Sequence, residues 1–253
     1  CVRALSDEMS RSGGTIEVLV DINPGRDRTG LRPGESARSL YHLIDEAPGL
    51  VPGGLHIYDG QHHQRDLDER RRAVTEEWEA ILALRDQLVR DGLPVPRLAC
   101  GGTPTFPVYA GLDDPTIELC PGTCLYHDAS YADKCPDRKF VTPSALVLTR
   151  VISRPTSRRI TLDCGTKSVA SDPPMGQRLV FPAIPDAAQV LHNEEHLVLE
   201  TDDAERWRVG DWTLGIPRHV CPTSALHRTV YVVEQGRCTG EWEVAARDRR
   251  LTI

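Results

Sequence analysis

The chain carries an apolar segment rich in β-branched residues at Ile16-Glu17-Val18-Leu19-Val20-Asp21-Ile22. Such a run predicts a strand that is buried on both faces of a sheet. Apolar residues recur at helical spacing over 37–44 and 74–88, and strand-like runs lie at 55–58 and 98–100. Because strands and helices alternate, we expect a parallel sheet or barrel with its active-site loops at the carboxyl ends of the strands.

The pattern of the sequence changes after residue 120, from alternating helices and strands to strands alone. Strand-like runs separated by Gly, Pro and Asp turns lie at 141–153, 159–163, 196–201 and 229–234, and helical periodicity is weak there. The sequence therefore predicts a fold of class α/β plus β. We expect a barrel-type domain at 1–115 and a mostly β domain at 116–253.

Composition excludes several classes of protein. The 253 residues are 40% hydrophobic and 26% charged, a balance typical of soluble globular proteins. The net charge of -7 argues against nucleic acid or an anionic membrane surface as the main partner. No apolar run reaches the roughly 18 residues of a membrane span and no secretory signal pattern opens the chain, so we expect a cytoplasmic protein. The eight cysteines are widely spread, which favours reduced thiols.

Three loops that follow predicted strands carry the first chemical signals. Gly101-Gly102-Thr103-Pro104-Thr105 comes directly after a strand, and its glycine amides and threonine hydroxyls suit a phosphate, although an ordinary turn has the same composition. Arg28 lies in the loop after the first strand, where a simple surface arginine is the alternative. Tyr58 opens a third loop, and its ring suits either the flank of a flat cofactor or plain packing.

A second signal is Pro217-Arg218-His219-Val220-Cys221-Pro222-Thr223. If this segment is extended, His219 and Cys221 point to the same side, because side chains two positions apart share a face of a strand. An imidazole and a thiolate suit zinc, and two protein ligands leave positions open for water or substrate. The alternative is a buried cysteine beside a hydrogen-bonded histidine.

Seven motifs, taken in order, support a family resemblance. They are Asp27-Arg28-Thr29-Gly30, Gly54-Leu55-His56-Ile57-Tyr58-Asp59-Gly60, the segment 101–105, Glu118 with Pro121-Gly122-Thr123, Leu162-Asp163-Cys164-Gly165-Thr166-Lys167, Glu194-Glu195-His196, and 216–223. With these motifs the chain resembles, over nearly its whole length, the D-serine dehydratase and D-threonine aldolase family of pyridoxal-phosphate enzymes, which is similar in fold to alanine racemase.

The resemblance implies a fold and a set of ligands. The fold would be a partial barrel of alanine racemase type followed by a mostly β, metal-binding C-terminal domain. The cofactors would be pyridoxal 5'-phosphate and zinc, or another divalent metal, and the protein would be a homodimer. The residues implied are Gly101, Gly102, Thr103 and Thr105 at the cofactor phosphate, Arg28 and Tyr58 beside the cofactor, and His219 and Cys221 at the metal.

The resemblance also implies a lyase that acts on small β-hydroxy D-amino acids. Pyridoxal phosphate would stabilise negative charge at the α-carbon while the metal polarises the β-hydroxyl. Loss of that hydroxyl from D-serine gives pyruvate and ammonia, and we expect this reaction because a thiolate partner for the histidine suits zinc. The alternative is retro-aldol cleavage of D-threonine to glycine and an aldehyde.

One departure from the family concerns lysine. The family holds its cofactor as a Schiff base on a lysine early in the barrel, whereas the lysines of this chain are Lys134, Lys139 and Lys167, all beyond the barrel segment. The chain also opens at Cys1, and residues 5–9 resemble the end of a helix already under way. We therefore expect a fragment that lacks the first barrel strands. If Cys1 is the true start, a non-catalytic protein that binds the cofactor or a partner remains the alternative.

Two other patterns resemble metal sites. The string His192-Asn193-Glu194-Glu195-His196 fits a zinc-protease motif, which requires both histidines on one helical face. It runs straight into a predicted strand, so we do not expect a protease. Cys120, Cys124, His127 and Cys135 lack the paired spacing of structural zinc sites, and we expect independent cysteines.

Overall fold

The computed structural model describes residues 1–248. It divides into two compact units, and each unit is built from two separate stretches of the chain. The first unit comprises residues 1–122 together with 134–137, and the second comprises 123–133 together with the described residues from 138 onward.

The first unit alternates helices and strands, as the sequence predicts. Its helices are α1 (Val2–Ser12), α2 (Glu35–Asp45), α3 (Leu67–Arg90) and α4 (Phe106–Tyr109), and its strands are β1 (Ile16–Ile22), β2 (Leu50–Ile57), β3 (Leu98–Cys100) and β4 (Ile117–Leu119). The four strands form one parallel sheet in the order β1-β2-β3-β4. The predicted parallel sheet is therefore confirmed, and β1 has the predicted bounds.

Helix α3 shows why the alternation is stable. Asp66 caps its first turn by accepting hydrogen bonds from the backbone amides of Asp68 and Glu69, which satisfies amides that have no partner within the helix. The predicted apolar stripe is confirmed, because Val74, Trp78, Ile81, Leu84 and Leu88 are all buried in the core of this unit.

Strand β2 is longer than predicted. It begins at Leu50, not at residue 55, and runs through Pro52, Gly53 and Gly54. Gly54 has φ +111°, and a Cβ there would lie 2.0 Å from the carbonyl oxygen of Arg97. The backbones approach so closely that only glycine fits, and its poor strand propensity hides this half of the strand from sequence analysis.

The second unit is mostly antiparallel sheet. Its strands are β5 (Val147–Thr156), β6 (Arg159–Leu162), β7 (Leu179–Val180), β8 (Ala188–His192), β9 (Leu197–Glu200), β10 (Trp212–Pro217), β11 (Thr229–Glu234) and β12 (Arg237–Glu243). The first six form a sheet in the order β7-β10-β5-β6-β9-β8, and the last two form a separate hairpin. The predicted strands are all present, although β5 begins at Val147, six residues after the predicted start at 141.

Short helices interrupt the second part of the chain. They are α5 (Ala129–Lys134) and α6 (Val220–Ala225), and α6 follows directly after β10. All eight cysteines have free thiols, as predicted. Within residues 1–248, no helix combines the length and apolar character that crossing a membrane requires.

Candidate functional site

The carboxyl ends of β1, β2 and β3 lie side by side in the first unit. The strands end at Ile22, Ile57 and Cys100, and parallel pairing in the order β1-β2-β3 sets these ends next to one another. The three loops singled out in the sequence therefore leave the same edge of the sheet. This is the edge where parallel α/β folds bind their ligands.

Arg28 and Tyr58 come together at this edge. The guanidinium carbon of Arg28 lies 4.4 Å from the centre of the Tyr58 ring, within the range of an attractive cation–π contact. Two glycines make room for the ring. A Cβ on Gly60 would lie 2.5 Å from the Tyr58 hydroxyl, and one on Gly102 would lie 3.3 Å from Tyr58 Cε2. The loop after β1, the loop after β2 and the glycine-rich loop after β3 thus share one aromatic ring.

A buried carboxylate organises the glycine-rich loop. Asp59 is 1% exposed and accepts hydrogen bonds from the Thr105 hydroxyl at 2.7 Å, the Tyr109 hydroxyl at 2.9 Å and the Gly102 amide at 3.3 Å. Burial, followed by the nearby Asp59 charge, raises the pKa of Tyr109 far above its ordinary value, so the phenol stays a donor. The Thr105 hydroxyl proton is directed at Asp59, which gives Thr105 a structural role within the loop.

Gly101 needs to be glycine for a conformational reason. Its φ is +80°, and a Cβ would lie 2.8 Å from Tyr109 Cδ2. Thr103, two residues further on, is 4% exposed. A side chain at Gly101 would clash with Tyr109 and one at Gly102 would crowd the Tyr58 ring, and we call this two-glycine backbone the glycine cradle.

A contact between a histidine and a glutamate lies beneath the neighbouring loops. His62 is buried, and its Nε2 lies 2.7 Å from Glu77 Oε2, to which Gln61 Nε2 also donates at 2.9 Å. A Cβ on Gly25 would lie 2.8 Å from Glu77 Oε1. Glu77 on α3 thus binds two residues of the loop after β2 and lies close to Gly25 in the loop after β1.

In the second unit, the segment with His219 and Cys221 differs from the prediction. His219 has extended backbone angles, φ -141° and ψ 95°, but helix α6 starts at Val220 and includes Cys221. The prediction of an extended segment is wrong because Pro222 stands in the first helical turn, where the proline ring needs no backbone N–H. The two side chains nevertheless interact, because each shifts the pKa of the other.

The electrostatics of this pair favour a thiolate. The hydrogen bond to His219 is the main cause that lowers the pKa of Cys221, with a smaller contribution from Thr123, whose Oγ1 lies 3.3 Å from Cys221 Sγ. Conversely, the hydrogen bond to Cys221 is the main cause that raises the pKa of His219 to about 9, and Asp172 adds to it. A thiolate and an imidazole are the donor types that zinc prefers.

A third protein ligand is not evident beside this pair. Among residues 1–248, no three His, Cys, Asp or Glu side chains are grouped closely enough to hold a metal ion. The predicted metal assignment of His219 and Cys221 therefore stays a prediction that rests on two donors. The view that Cys120, Cys124, His127 and Cys135 are independent residues likewise stays a prediction.

The other patterns have structural explanations. His192 ends β8, and its ring contacts Arg178 and the carbonyl of Cys164. The string at 192–196 therefore forms a β turn region and not the helix that a zinc protease needs. Lys167 is paired with Glu194 and Glu195 at 3.0 and 2.6 Å, and these ion pairs account for its place in the motif.

Sequence reasoning missed the carboxylates that support both clusters. Asp59 stands in the quoted Tyr-Asp-Gly motif, so its position after a strand was a usable signal. Asp172 contacts His219 Nδ1 at 2.5 Å but is 47 residues away in the chain, and nothing local indicates the contact. Asp128 is 1% exposed and accepts from the amide of Val220. Such long-range partners appear only when the chain has folded.

Comparison with known proteins identifies the family. The model of the family described as "Alanine racemase, N-terminal domain" matches residues 2–130, and the model described as "Putative serine dehydratase domain" matches residues 144–233. The chain belongs to the D-serine dehydratase and D-threonine aldolase-like family with the alanine racemase fold. The predicted family and the predicted fold, a partial barrel followed by a β domain, are thereby confirmed.

Individual relatives agree with this membership. The chain is 29% identical over 248 residues to a D-threonine aldolase from an Arthrobacter species. The aligned region covers 96% of this chain and 64% of the relative. It is 26% identical to a 3-hydroxy-D-aspartate aldolase of Paracoccus denitrificans, over 97% of the chain and 64% of the relative. The crystal structure of D-threonine aldolase from Filomicrobium marinum superposes with a TM-score of 0.90 at 30% identity, over 97% of this chain and 67% of that one. The chain thus spans 64% of the length of both curated relatives.

Proposed function

We propose that the chain is part of a lyase that uses pyridoxal 5'-phosphate and a divalent metal, zinc in the first place, and acts on β-hydroxy D-amino acids. The observation that carries the proposal is the gathering of Arg28, Tyr58 and the glycine-rich loop at one edge of the parallel sheet. Similarity over almost the whole chain to two aldolases of hydroxy D-amino acids supports the substrate class.

The first unit fits pyridoxal phosphate. Gly101 and Gly102 have no Cβ, so an anion could approach their backbone closely, while the Gly102 amide itself donates to Asp59. Thr103 would add a donor, while Thr105 holds the loop through Asp59. Tyr58 would flank the flat ring, and Arg28, stacked on Tyr58, would supply positive charge beside the anionic cofactor. In the family the cofactor is also held by a lysine, a role that Lys167, with its two ion pairs, does not fit.

The second unit fits a metal. His219 offers an imidazole, and Cys221 offers a thiol whose lowered pKa favours the thiolate that binds zinc. Thr123 contacts the sulfur and Asp172 contacts the imidazole, so both donors are supported by neighbours. Two protein ligands leave coordination positions for water or substrate.

The two groups would divide the chemistry. Bound pyridoxal phosphate supplies an electron sink for the α-carbon, and a bound divalent metal supplies a Lewis acid for the β-hydroxyl. The chain's own contribution is to position them. The loop backbone at 101–102 would hold the phosphate, Tyr58 would lie against the ring, and His219 with Cys221 would hold the metal through two protein ligands.

Two finer functions have separate support. Retro-aldol cleavage of D-threonine is favoured by the D-threonine aldolase similarities at 29% and 30% identity. Dehydration of D-serine, the reaction expected from the sequence, is favoured by the serine dehydratase domain match over 144–233, which includes both His219 and Cys221. By the family resemblance, the proposal also includes a homodimer and a small-molecule substrate.

Product analysis separates these functions. The full-length natural protein, supplied with pyridoxal phosphate and zinc, is incubated with D-threonine and with D-serine, and the L-enantiomers serve as controls. Glycine with acetaldehyde identifies the aldolase, and pyruvate with ammonia identifies the dehydratase. The absence of any product from both D-amino acids and from 3-hydroxy-D-aspartate would contradict the lyase proposal and favour a non-catalytic binding protein.

A further inference from the structure

We infer that Asp172 is a positioning residue that fixes which nitrogen of His219 faces the metal. Asp172 Oδ2 lies 2.5 Å from His219 Nδ1. A carboxylate at this distance needs a proton on the ring nitrogen, so Nδ1 carries the hydrogen and Nε2 keeps the lone pair when the imidazole is neutral. The inference rests on the proposed metal role of His219 and Cys221 and adds a residue that acts through His219.

Both partners of this contact are held in place by the backbone. Thr223 is 4% exposed, and its hydroxyl donates to the carbonyl of His219 at 2.7 Å while its oxygen accepts from the amide of Ala170 at 3.1 Å. Ala170 lies two residues before Asp172. One buried side chain therefore ties the backbone of His219 to the segment that carries Asp172.

A second tie acts at the other end of α6. His227 Nε2 lies 2.8 Å from the carbonyl oxygen of Ser168, so the residues just after the helix also contact the segment before Asp172. Both ties join residues that precede Asp172 to side chains that follow His219, so they connect the two backbone segments that carry the carboxylate and the imidazole. The Asp172 side chain is itself 54% exposed, so these backbone ties, and not burial, support its contact with His219.

The contact between Asp172 and His219 gains importance for metal binding because few protein ligands surround the proposed metal. Catalytic zinc sites usually have three protein ligands, whereas the described residues gather only the pair His219 and Cys221. A two-ligand site depends strongly on the orientation of each donor. Partners that hold a metal-binding histidine typically change metal affinity by 10- to 100-fold when they are removed.

Zinc affinity provides the first test. Zinc dissociation is measured by chelator competition on the full-length natural protein and on the variants Asp172→Ala and Asp202→Ala. Asp202 is a matched control because it is an exposed aspartate of the same unit whose side chain is paired with Arg158 at 2.6 Å. We expect Asp172→Ala to weaken zinc binding by about 10- to 100-fold and Asp202→Ala to leave it within twofold. Equal affinities in the two variants would overturn the inference.

Ring-nitrogen spectroscopy provides the second test, which general loss of structure would not mimic. The protein is labelled with ¹⁵N-histidine and loaded with ¹¹³Cd²⁺, so that a coupling between the two nuclei identifies the bound nitrogen. We expect the coupling on Nε2 of His219 in the wild type, and a loss of this preference in Asp172→Ala. Asp172→Asn, whose side-chain oxygen can still accept from Nδ1–H, should restore the Nε2 preference. Coupling on Nδ1 in the wild type would overturn the inference.

The failure of this inference can be distinguished from the failure of the proposed function. If His219→Ala abolishes zinc binding and Asp172→Ala does not change it, the metal site stands and the positioning role falls. If the wild type binds no zinc or cadmium through His219, both fall together.

Discussion

The carboxylate of Asp59 and the hydroxyl of Thr105 form a buried hydrogen bond of 2.7 Å between two different loops at the carboxyl edge of the sheet. The bond joins the loop after β2, which carries Tyr58, to the loop after β3, which carries the glycine cradle. A hydrogen bond to a buried charge contributes about 1.5–3 kcal/mol. The geometry of the proposed phosphate site therefore depends on Asp59, which is buried beneath the loop.

The Asp59–Thr105 bond predicts unequal effects of two substitutions at one position. Thr105→Val keeps the shape of the side chain but removes the donor, so it should weaken pyridoxal-phosphate binding and lower the free energy of unfolding by about 1–3 kcal/mol. Thr105→Ser keeps the hydroxyl and should retain most of both. Absorbance titration with the cofactor and urea unfolding measure the two quantities. Equal affinity in the two variants would show that the bond does not shape the loop.

The glycine cradle predicts a steric effect. A Cβ on Gly102 would come within 3.3 Å of the Tyr58 ring, whereas a Cβ on Gly122 meets nothing within 4 Å. Gly102→Val should therefore displace Tyr58 and weaken cofactor binding, and Gly122→Ala in the same unit should have no effect. Cofactor affinity is again measured by absorbance titration, and an unchanged affinity in Gly102→Val would count against the phosphate site.

The donor pair predicts the metal content of the protein. Purified full-length protein should contain roughly one zinc per chain, and His219→Ala or Cys221→Ala should remove it, because a single remaining donor does not hold the ion. Cys238→Ala changes another exposed cysteine of the second unit and should retain the metal. Elemental mass spectrometry measures the zinc content of each variant. Full zinc content in both His219→Ala and Cys221→Ala would contradict the assignment of these residues as metal ligands.

Arg70 predicts a stability difference between neighbouring arginines. Its guanidinium is fully buried and binds Asp137 at 2.7 Å, the carbonyl of Gln64 at 2.6 Å and the sulfur of Cys135 at 3.6 Å. Arg70→Ala leaves Asp137 without its ion pair and should lower the free energy of unfolding by about 3 kcal/mol.

Arg71 offers the matched control for this prediction. It is exposed and is paired only with Asp68 on the same helix, so Arg71→Ala should cost less than about 0.5 kcal/mol. Urea unfolding followed by circular dichroism measures both variants. Equal losses would mean that the buried pair adds nothing specific.

Tyr41 predicts a loss of stability at alkaline pH. Burial raises the pKa of Tyr41 from 10.0 to about 12, and the hydroxyl donates to the carbonyl of Pro94 at 2.7 Å. Between pH 10 and 12 the unfolded chain releases this proton while the folded protein keeps it. Stability is thus fully present below pH 10 and falls by up to about 1.4 kcal/mol per pH unit across this window.

A pair of phenylalanine variants tests the alkaline effect. Tyr41→Phe should lower stability by about 1 kcal/mol at pH 8 through the lost hydrogen bond and should flatten the decline above pH 10. Tyr231→Phe, at a tyrosine that is 73% exposed, should follow the wild type. Urea unfolding between pH 8 and 12 measures the slopes, and identical slopes in wild type and Tyr41→Phe would contradict the assignment.

Periodic patterns made the first unit largely predictable. The run at Ile16–Ile22 and the stripe on α3 identify their elements because burial demands apolar side chains at regular intervals. Close backbone approach is not visible in such patterns, which is why the glycine-containing half of β2 was missed. Similarly, the sequence around His219 shows the right residues but the wrong local conformation, because Pro222 is compatible with an extended segment and with a first helical turn.

The site was predictable only in part, for a related reason. Residues that lie just after strands, such as Arg28 and Tyr58, could be placed at one edge from the order of the elements alone. Their supporting partners could not. Asp59 reaches Thr105 across 46 positions and Asp172 reaches His219 across 47, and no local pattern encodes contacts between segments so far apart.

The chain leaves the first unit after residue 122 and returns to it at residues 134–137. This return limits where homologous genes can recombine without separating residues that contact each other. Residues 134–137 belong to the first unit although they follow eleven residues, 123–133, of the second, and they carry the Cys135 and Asp137 contacts of Arg70. A single recombination crossover at residue 122 would separate α3 from the short segment that pairs with its buried arginine. A functional chimera would need its crossover after residue 137. In this family, the barrel segment and residues 134–137 should therefore come from the same parent sequence.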